Sequence, residues 1–411
     1  MRVAVVGGGL AGCAAALDLV ESGYDVTVLE ARPTLGGAVQ TLPERPGDPE
    51  PPPDNGQHIA LGCFTEYLHF LDRIGESGSY RRERLALPVI GEAGDSAEIK
   101  PSFGALLGYT HLALRDRVRI PVVTARCHAA RPRAAETFGA LLRRLGASDA
   151  AVERFWDVFI RPALNLRADD ADAAAGLFVV RTALLGRRES SDLILPRRPL
   201  GAMHGEAARR TLEANGATVQ TGARVTDLAD VDADAVVVAV PPPESAQLLG
   251  EPERALEDSP IVSVHLLFDR PLLRRPLAAL LGSDAHWVFD RGSLTAHTPE
   301  RGQYLTVVSS GVPELMELRG RDLVARLARQ VTARLGAAEL LWSRVSREPR
   351  ATVALRPGAG RLRPGSATSR PNVVRAGAWT DTGWPVTMES AVRSGRAAAR
   401  TLAGLPSKVA A

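Results

Sequence analysis

Six residues near the N-terminus, Gly7-Gly8-Gly9-Leu10-Ala11-Gly12, restrict the fold more than any other feature of the chain. A β-branched run, Arg2-Val-Ala-Val-Val6, leads straight into them, and residues 11–22 carry small and apolar side chains at helical spacing. Strand, glycine turn and helix in that order open a dinucleotide-binding unit. Gly7 permits the tight turn, Gly9 lets a pyrophosphate approach the backbone, and Gly12 lets helix and strand pack closely. Leu10, Ala11 and Gly12 then present the unpaired N–H groups and positive dipole end of a helix start. A second strand, Asp25–Leu29, ends at Glu30, which lies 18 residues past Gly12. A carboxylate there can bond a ribose hydroxyl. Cys13 reads as a small packed residue of the helix.

Other chemistries are excluded by what is missing. Of the 50 basic residues only Lys100 and Lys408 are lysines, and no Gly-Lys pair exists to build a Walker A loop. Schiff-base chemistry would have to use one of those two lysines. Cys13, Cys63 and Cys127 are odd in number and far apart, which suits a reducing compartment and gives neither a disulfide framework nor a metal site. Neither H-E-x-x-H nor G-x-S-x-G occurs. The net charge of +3 is too small and dispersed to imply nucleic acid, yet permits weak attraction to anionic lipid. With no apolar run of eighteen and no signal-peptide pattern at the start, the chain is expected to be cytoplasmic, peripheral at most on the inner face of the membrane.

At 411 residues the chain should hold two or three structural units. Six prolines within residues 43–53 predict an exposed spacer loop, followed by a helix near 64–74. Helices are expected at 136–145, 150–164, 320–336 and 387–403, and strands at 217–221, 223–228, 232–240 and 372–376. The fold class expected is α/β: a Rossmann-like nucleotide domain (1–80, 195–255 and 345–411) interleaved with an α+β substrate domain (81–194 and 256–344).

The stretch Glu30-Ala31-Arg32-Pro-Thr-Leu-Gly36-Gly37 resembles the extended dinucleotide motif of flavoproteins of the amine oxidase and phytoene desaturase type. The resemblance implies FAD, with Glu30 on the adenosine ribose and Ala31, Arg32, Gly36 and Gly37 along the cofactor. It also places backbone atoms of Val225 at the adenine. Near the other end, Gly377-Ala-Trp379-Thr-Asp381-Thr-Gly-Trp384-Pro385-Val-Thr387-Met388-Glu389 resembles the last flavin motif of that superfamily. There the N–H matching Met388 meets the flavin C2 carbonyl, at a helix start prepared by Pro385. Gly377, Trp379, Asp381 and Thr387 complete the implied cofactor set. Two positions depart from the pattern: Ala378 replaces an Asp that bonds the cofactor, and Ser390 replaces a Gly. The first implies either weaker cofactor binding or compensation by Asp381.

Asp54-Asn-Gly-Gln-His58, Pro162-Ala-Leu-Asn165, Ser191-Asp-Leu-Ile-Leu-Pro196, Arg350-Ala-Thr352 and Trp379-Thr-Asp-Thr-Gly383 are similar to segments of hydroxysqualene dehydroxylases, in order along nearly the whole chain. The resemblance implies that reduced FAD converts hydroxysqualene to squalene in hopanoid synthesis, releasing water. The substrate would be a long apolar isoprenoid, handed over from squalene-forming enzymes. Hydroxide leaves poorly, so an acid should protonate it. Asp54 and His58 are candidates, each equally readable as a turn cap or a packed residue. Asn165 could orient the hydroxyl or end a helix. Two other functions stay open: a polyene desaturase or other flavin oxidase, and a non-catalytic lipid-binding escort of the same fold.

Overall fold

The computed structural model describes residues 1–404. Arg2–Val6 sits at the centre of a five-stranded, all-parallel sheet. Its neighbours are Asp25–Glu30 and Thr218–Thr221 on one side, Ala235–Val238 and Val373–Arg375 on the other. Both faces are covered, so the inner strands read as continuous apolar runs. Val3, Val5, Val26, Val28 and Val237 are buried with the helix Leu10–Glu21 in one cluster. The closing helix Met388–Ala403 packs against that opening helix, and a Cβ on Gly395 would stand 2.1 Å from the Ala11 carbonyl oxygen. A glycine is required there for the two backbones to approach.

A second, seven-stranded sheet is mixed. Its order is Leu340–Val353, Asp258–Phe268, Gln303–Ser310, Trp287–Asp290, Leu277–Leu280, Leu87–Ile90 and Ser96–Ile99. The helix Gly320–Leu335 covers one face through Leu323, Leu327 and Val331. On the other face Trp287, Phe289 and Val308 join an apolar cluster built by the helices between residues 103 and 184. A small sheet of Ala60–Leu61, Leu193–Pro196 and Tyr80–Glu83 completes the fold. Among the described residues no helix is long and apolar enough to cross a membrane.

Four expectations need correcting. Residues 223–228 form no strand, because Gly222, at φ +73°, turns the chain across the sheet end where no ladder partner remains. The boundary at 345 cuts the strand Leu340–Val353, which stays in the seven-stranded sheet throughout. The boundary at 194/195 cuts the strand Leu193–Pro196, which pairs as one unit with Ala60–Leu61 and Tyr80–Glu83. The proline-rich loop is exposed only in part, at residues 43–47 and Glu50. Pro51 and Pro53 are buried, and Asp48 forms a buried ion pair with Arg344. Proline carbonyls explain this docking: Pro43 accepts from Arg344 at 2.8 Å and Pro52 from Arg291 at 2.5 Å, with no proline N–H left to satisfy.

Candidate active site

The opening turn leaves its helix uncapped. Gly9 is the N-cap of Leu10–Glu21 and no side chain bonds the first-turn N–H groups. Gly7 has φ +106°, and a Cβ on Gly12 would stand 1.9 Å from the Gly7 carbonyl oxygen, so strand and helix meet backbone to backbone. Gly36 bridges to Gly9, and a Cβ on Gly37 would come within 2.7 Å of the Gly9 Cα. Glu30 is buried at the strand end, accepting from Gly8 N–H at 2.6 Å and Arg32 N–H at 2.7 Å, one bond per oxygen. Each oxygen keeps acceptor capacity. The exposed Arg32 guanidinium donates to Gly37 O. Val225 is half-buried beside Leu29 at the sheet end.

The closing motif lies against the same sheet end. Ala376 N–H donates to Val238 O, Gly377 N–H to the Ser394 hydroxyl, and Trp379 Nε1–H to Val240 O at 3.1 Å. Thr387 caps the closing helix by accepting from Ser390 N–H, with buried Pro385 just before it and half-buried Met388 as the first helical residue. The two departures from the family pattern touch each other: Ser390 Oγ donates to Ala378 O at 2.9 Å. Arg363, which the sequence did not single out, ties the loop together. Its guanidinium donates to the carbonyls of Ala378, Trp379, Thr380 and Trp384, at 3.1, 3.2, 2.5 and 2.6 Å. Burial lowers its pKa, and Asp381 opposes that. Asp381 does not stand in for the missing Asp: it is exposed, and its carboxylate accepts from Gly383 N–H in its own turn.

Asp54 is 1% exposed and its oxygens are fully engaged. Oδ2 meets Arg291 Nη1 at 2.6 Å, while Oδ1 accepts from the Thr41 hydroxyl at 2.7 Å and Leu200 N–H at 3.0 Å. The guanidinium and two further donors against it fit the structural, turn-capping role that was the other expectation for Asp54. It anchors the proline-rich strap to the seven-stranded sheet. His265 reinforces the anchor, donating Nε2–H to Asp54 O and accepting at Nδ1 from Thr306.

His58 is half-buried, and its imidazole pKa is lowered by burial while the Asp54 charge opposes the shift; no hydrogen bond contributes. Of the two expected acids it is the one left free. Asn165 ends its helix in the left-handed region at φ 53°. Its amide donates to Ser259 O, Pro260 O and the Thr352 hydroxyl, at 2.8, 3.3 and 3.2 Å. It therefore stitches helix to sheet, while its Oδ1 is buried without a partner. A further carboxyl was missed in the sequence. Glu348 is half-buried on the strand Leu340–Val353, accepts from Asn55 Nδ2 at 3.4 Å, and has a pKa raised by burial against the opposing effects of Asn55 and Arg32. Asn55 bonds Ala38 and Gln40 in turn, which places Glu348 under the Arg32–Gly37 loop.

Residues 10–403 match the family model of flavin-containing amine oxidoreductases. The chain belongs to this family. It is 29% identical to a hydroxysqualene dehydroxylase of Sinorhizobium fredii, over 97% of each chain. It is 24% identical to a zeta-carotene desaturase of Synechocystis, over 98% of this chain and 97% of the other. A structure of putrescine oxidase with putrescine bound superposes with a TM-score of 0.69 at 19% identity, covering 98% of this chain and 99% of that one, a likeness of fold.

Members of this family are FAD-dependent oxidoreductases, and so is this chain; the escort-type alternative falls with that. The residues present fit the cofactor. An uncapped helix start lies at the crossing of Gly9, Gly36 and Gly37, where bare backbone with no side chain can meet a diphosphate. Glu30 retains lone pairs for a ribose. A second helix start, at Thr387–Met388, can stabilise negative charge on a reduced flavin ring.

Proposed function

We propose that this oxidoreductase reduces hydroxysqualene to squalene. The observation that carries the reading is the likeness to the Sinorhizobium hydroxysqualene dehydroxylase along 97% of both chains. The site supports it. Ile59, Leu61 and Val386 pack against the apolar cluster of Trp287, Phe289 and Val308, so the ground beside His58 suits a hydrocarbon. Reduced FAD supplies the hydride that replaces the hydroxyl on the allylic carbon. The proton that turns the departing hydroxyl into water comes from His58, whose ring has no hydrogen-bond partner among the described residues, or from Glu348, whose raised pKa keeps it nearer its acid form. Asp54 and Arg291 hold the floor on which His58 stands. Asn165 keeps the helix Asp157–Leu164 against that floor.

Purified protein with chemically reduced FAD, incubated without oxygen with hydroxysqualene, should give squalene; no squalene under those conditions overturns the reading. The second reading is a polyene desaturase, favoured by the near full-length likeness to the Synechocystis zeta-carotene desaturase. It calls for oxidised FAD, and the same assay with zeta-carotene and an electron acceptor separates the two. An amine oxidase that uses a lysine beside the flavin is disfavoured: Lys100 pairs with Glu98 near the surface, and Lys408 lies outside the described residues.

A further inference from the structure

We infer that the outer face of the helix Leu114–Ala129, together with Phe103, is a docking surface for an anionic lipid bilayer. Leu114, Val118 and Val122 follow one another at four-residue spacing and are 62%, 42% and 48% exposed. Phe103, on the adjoining short helix, is 58% exposed. These four are the majority of the large apolar side chains that the described residues leave in solvent. Exposed Ala125 and Ala129 continue the stripe. An apolar stripe of this kind is what an interfacial helix buries among acyl chains.

The charges around the stripe choose the partner. Residues 114–133 contain six arginines and one acid, Asp116, in a chain whose 50 basic and 47 acidic residues nearly balance. Asp116 is itself buried. Arg115, Arg119, Arg126, Arg131 and Arg133 are exposed along the helix and just beyond it. Arg117 fixes the arrangement by donating to Leu107 O and Leu112 O, both at 2.7 Å, which clips the Phe103–Leu107 helix to the longer one. Arg115 makes only a loose 3.9 Å contact with Asp116, and apolar residues flanked by such exposed cations match a surface of acyl chains under anionic headgroups. A second copy of this chain is a poor fit, since two such faces would oppose arginine to arginine.

The inner face of the same helix gives the docking a purpose. Ile120, Val123 and Cys127 are buried in the cluster that reaches Ile59, Leu61 and Val386 beside the candidate site. Bilayer and site would thus lie on two sides of one apolar layer. The inference deepens the proposed function, and only this purpose rests on that reading; the surface is argued from its own residues.

The test is flotation of the FAD-loaded full-length protein with vesicles of phosphatidylcholine alone or mixed with phosphatidylglycerol. Wild type should float with the mixed vesicles and lose binding as salt rises. Arg115→Gln/Arg119→Gln should weaken binding by about 25-fold, at ~1 kcal/mol per cation near the surface. Val118→Asp/Val122→Asp should weaken it by at least roughly tenfold while unfolding temperature and bound flavin stay as in wild type. Turnover of detergent-dispersed substrate should also be unchanged in that variant. Wild type that ignores every vesicle, variants that float like wild type, or a concentration-dependent dimer abolished by Val118→Asp/Val122→Asp would each overturn the inference. Vesicle binding without any squalene formation would leave it standing and sink the proposed reaction instead.

Discussion

The glycine turn at residues 7–12 and the anchor at Asp54 handle charge in opposite ways. At the turn the protein offers mainly partial charges: unpaired N–H groups at a helix start, with Glu30 as the one formal charge, bonded by backbone. At the anchor two full charges are buried against each other, Asp54 and Arg291 at 2% and 1% side-chain exposure. Backbone dipoles are fixed once the fold forms and leave room for a ligand. A buried ion pair is satisfied only by its partner, so it fixes geometry and tolerates no loss. The difference divides the labour: the first region receives a cofactor, the second sets the distance between the two sheets.

Arg291→Leu tests that division most severely. It leaves the Asp54 carboxylate buried and unpaired, and should cost about 3–5 kcal/mol in chemical denaturation. A cost under about 1 kcal/mol would mean that water reaches Asp54, and that the anchor resembles the turn after all. Asp54→Asn/Arg291→Leu should recover part of the loss. His58→Gln comes next. If His58 protonates the departing hydroxyl, turnover should fall on the order of a hundredfold, with FAD affinity unchanged. Because burial lowers its pKa below the usual 6.5, its acid form grows only as pH falls, so wild-type turnover should rise on acidification and His58→Gln should flatten that profile. An unchanged profile would shift the role to Glu348.

The turn was legible in the sequence because each of its requirements is local. Strand, glycines, helix and acid follow within thirty residues, and Gly7 and Gly12 answer close backbone contacts. The closing helix was legible for the same reason, from Pro385 just before it, while the Thr387 cap came only with the structure. The anchor was not, since Arg291 lies 237 residues from Asp54 and a lone arginine does not announce its partner. Glu348 was hidden in a strand of mixed exposure, where an acid reads as a solvent-facing residue. The strap of residues 43–53 was misread because proline excludes regular structure without excluding burial: carbonyls that accept from Arg344 and Arg291 satisfy it.

Arg363 lies between the two extremes, a half-buried cation whose partners are mainly carbonyl dipoles. It should behave like the turn more than the anchor. Arg363→Ala should weaken FAD binding about tenfold, or ~1.4 kcal/mol, by loosening residues 378–384 while the fold persists. Titration followed by flavin fluorescence reads this directly, and Arg363→Lys should restore part of it. Global unfolding at neutral pH would instead class Arg363 with Arg291.

The smallest effect concerns the imidazoles that brace the anchor. His265 and His204 are buried and neutral, with pKa values lowered to about 3 and about 4, chiefly by burial. His204 donates Nδ1–H to Leu200 O and accepts at Nε2 from Tyr67, so protonation would set a second N–H against that hydroxyl. In the unfolded chain each takes up a proton below about pH 6.5. The unfolded state therefore binds more protons than the folded one as pH falls from 6.5 toward those lowered values, and stability declines across that window. Each imidazole contributes a slope of up to about 1.4 kcal/mol per pH unit. Carboxyls with raised pKa values such as Glu348 also bear on the slope, so the difference between wild type and a histidine variant is what reads one ring. His265→Gln should remove one share of the slope. The glycine turn meets its cofactor mainly through backbone N–H groups, so its FAD contacts should hold steady while the anchor weakens. A slope that His265→Gln leaves untouched would show that the anchor, like the turn, rests on backbone dipoles and not on a buried neutral ring.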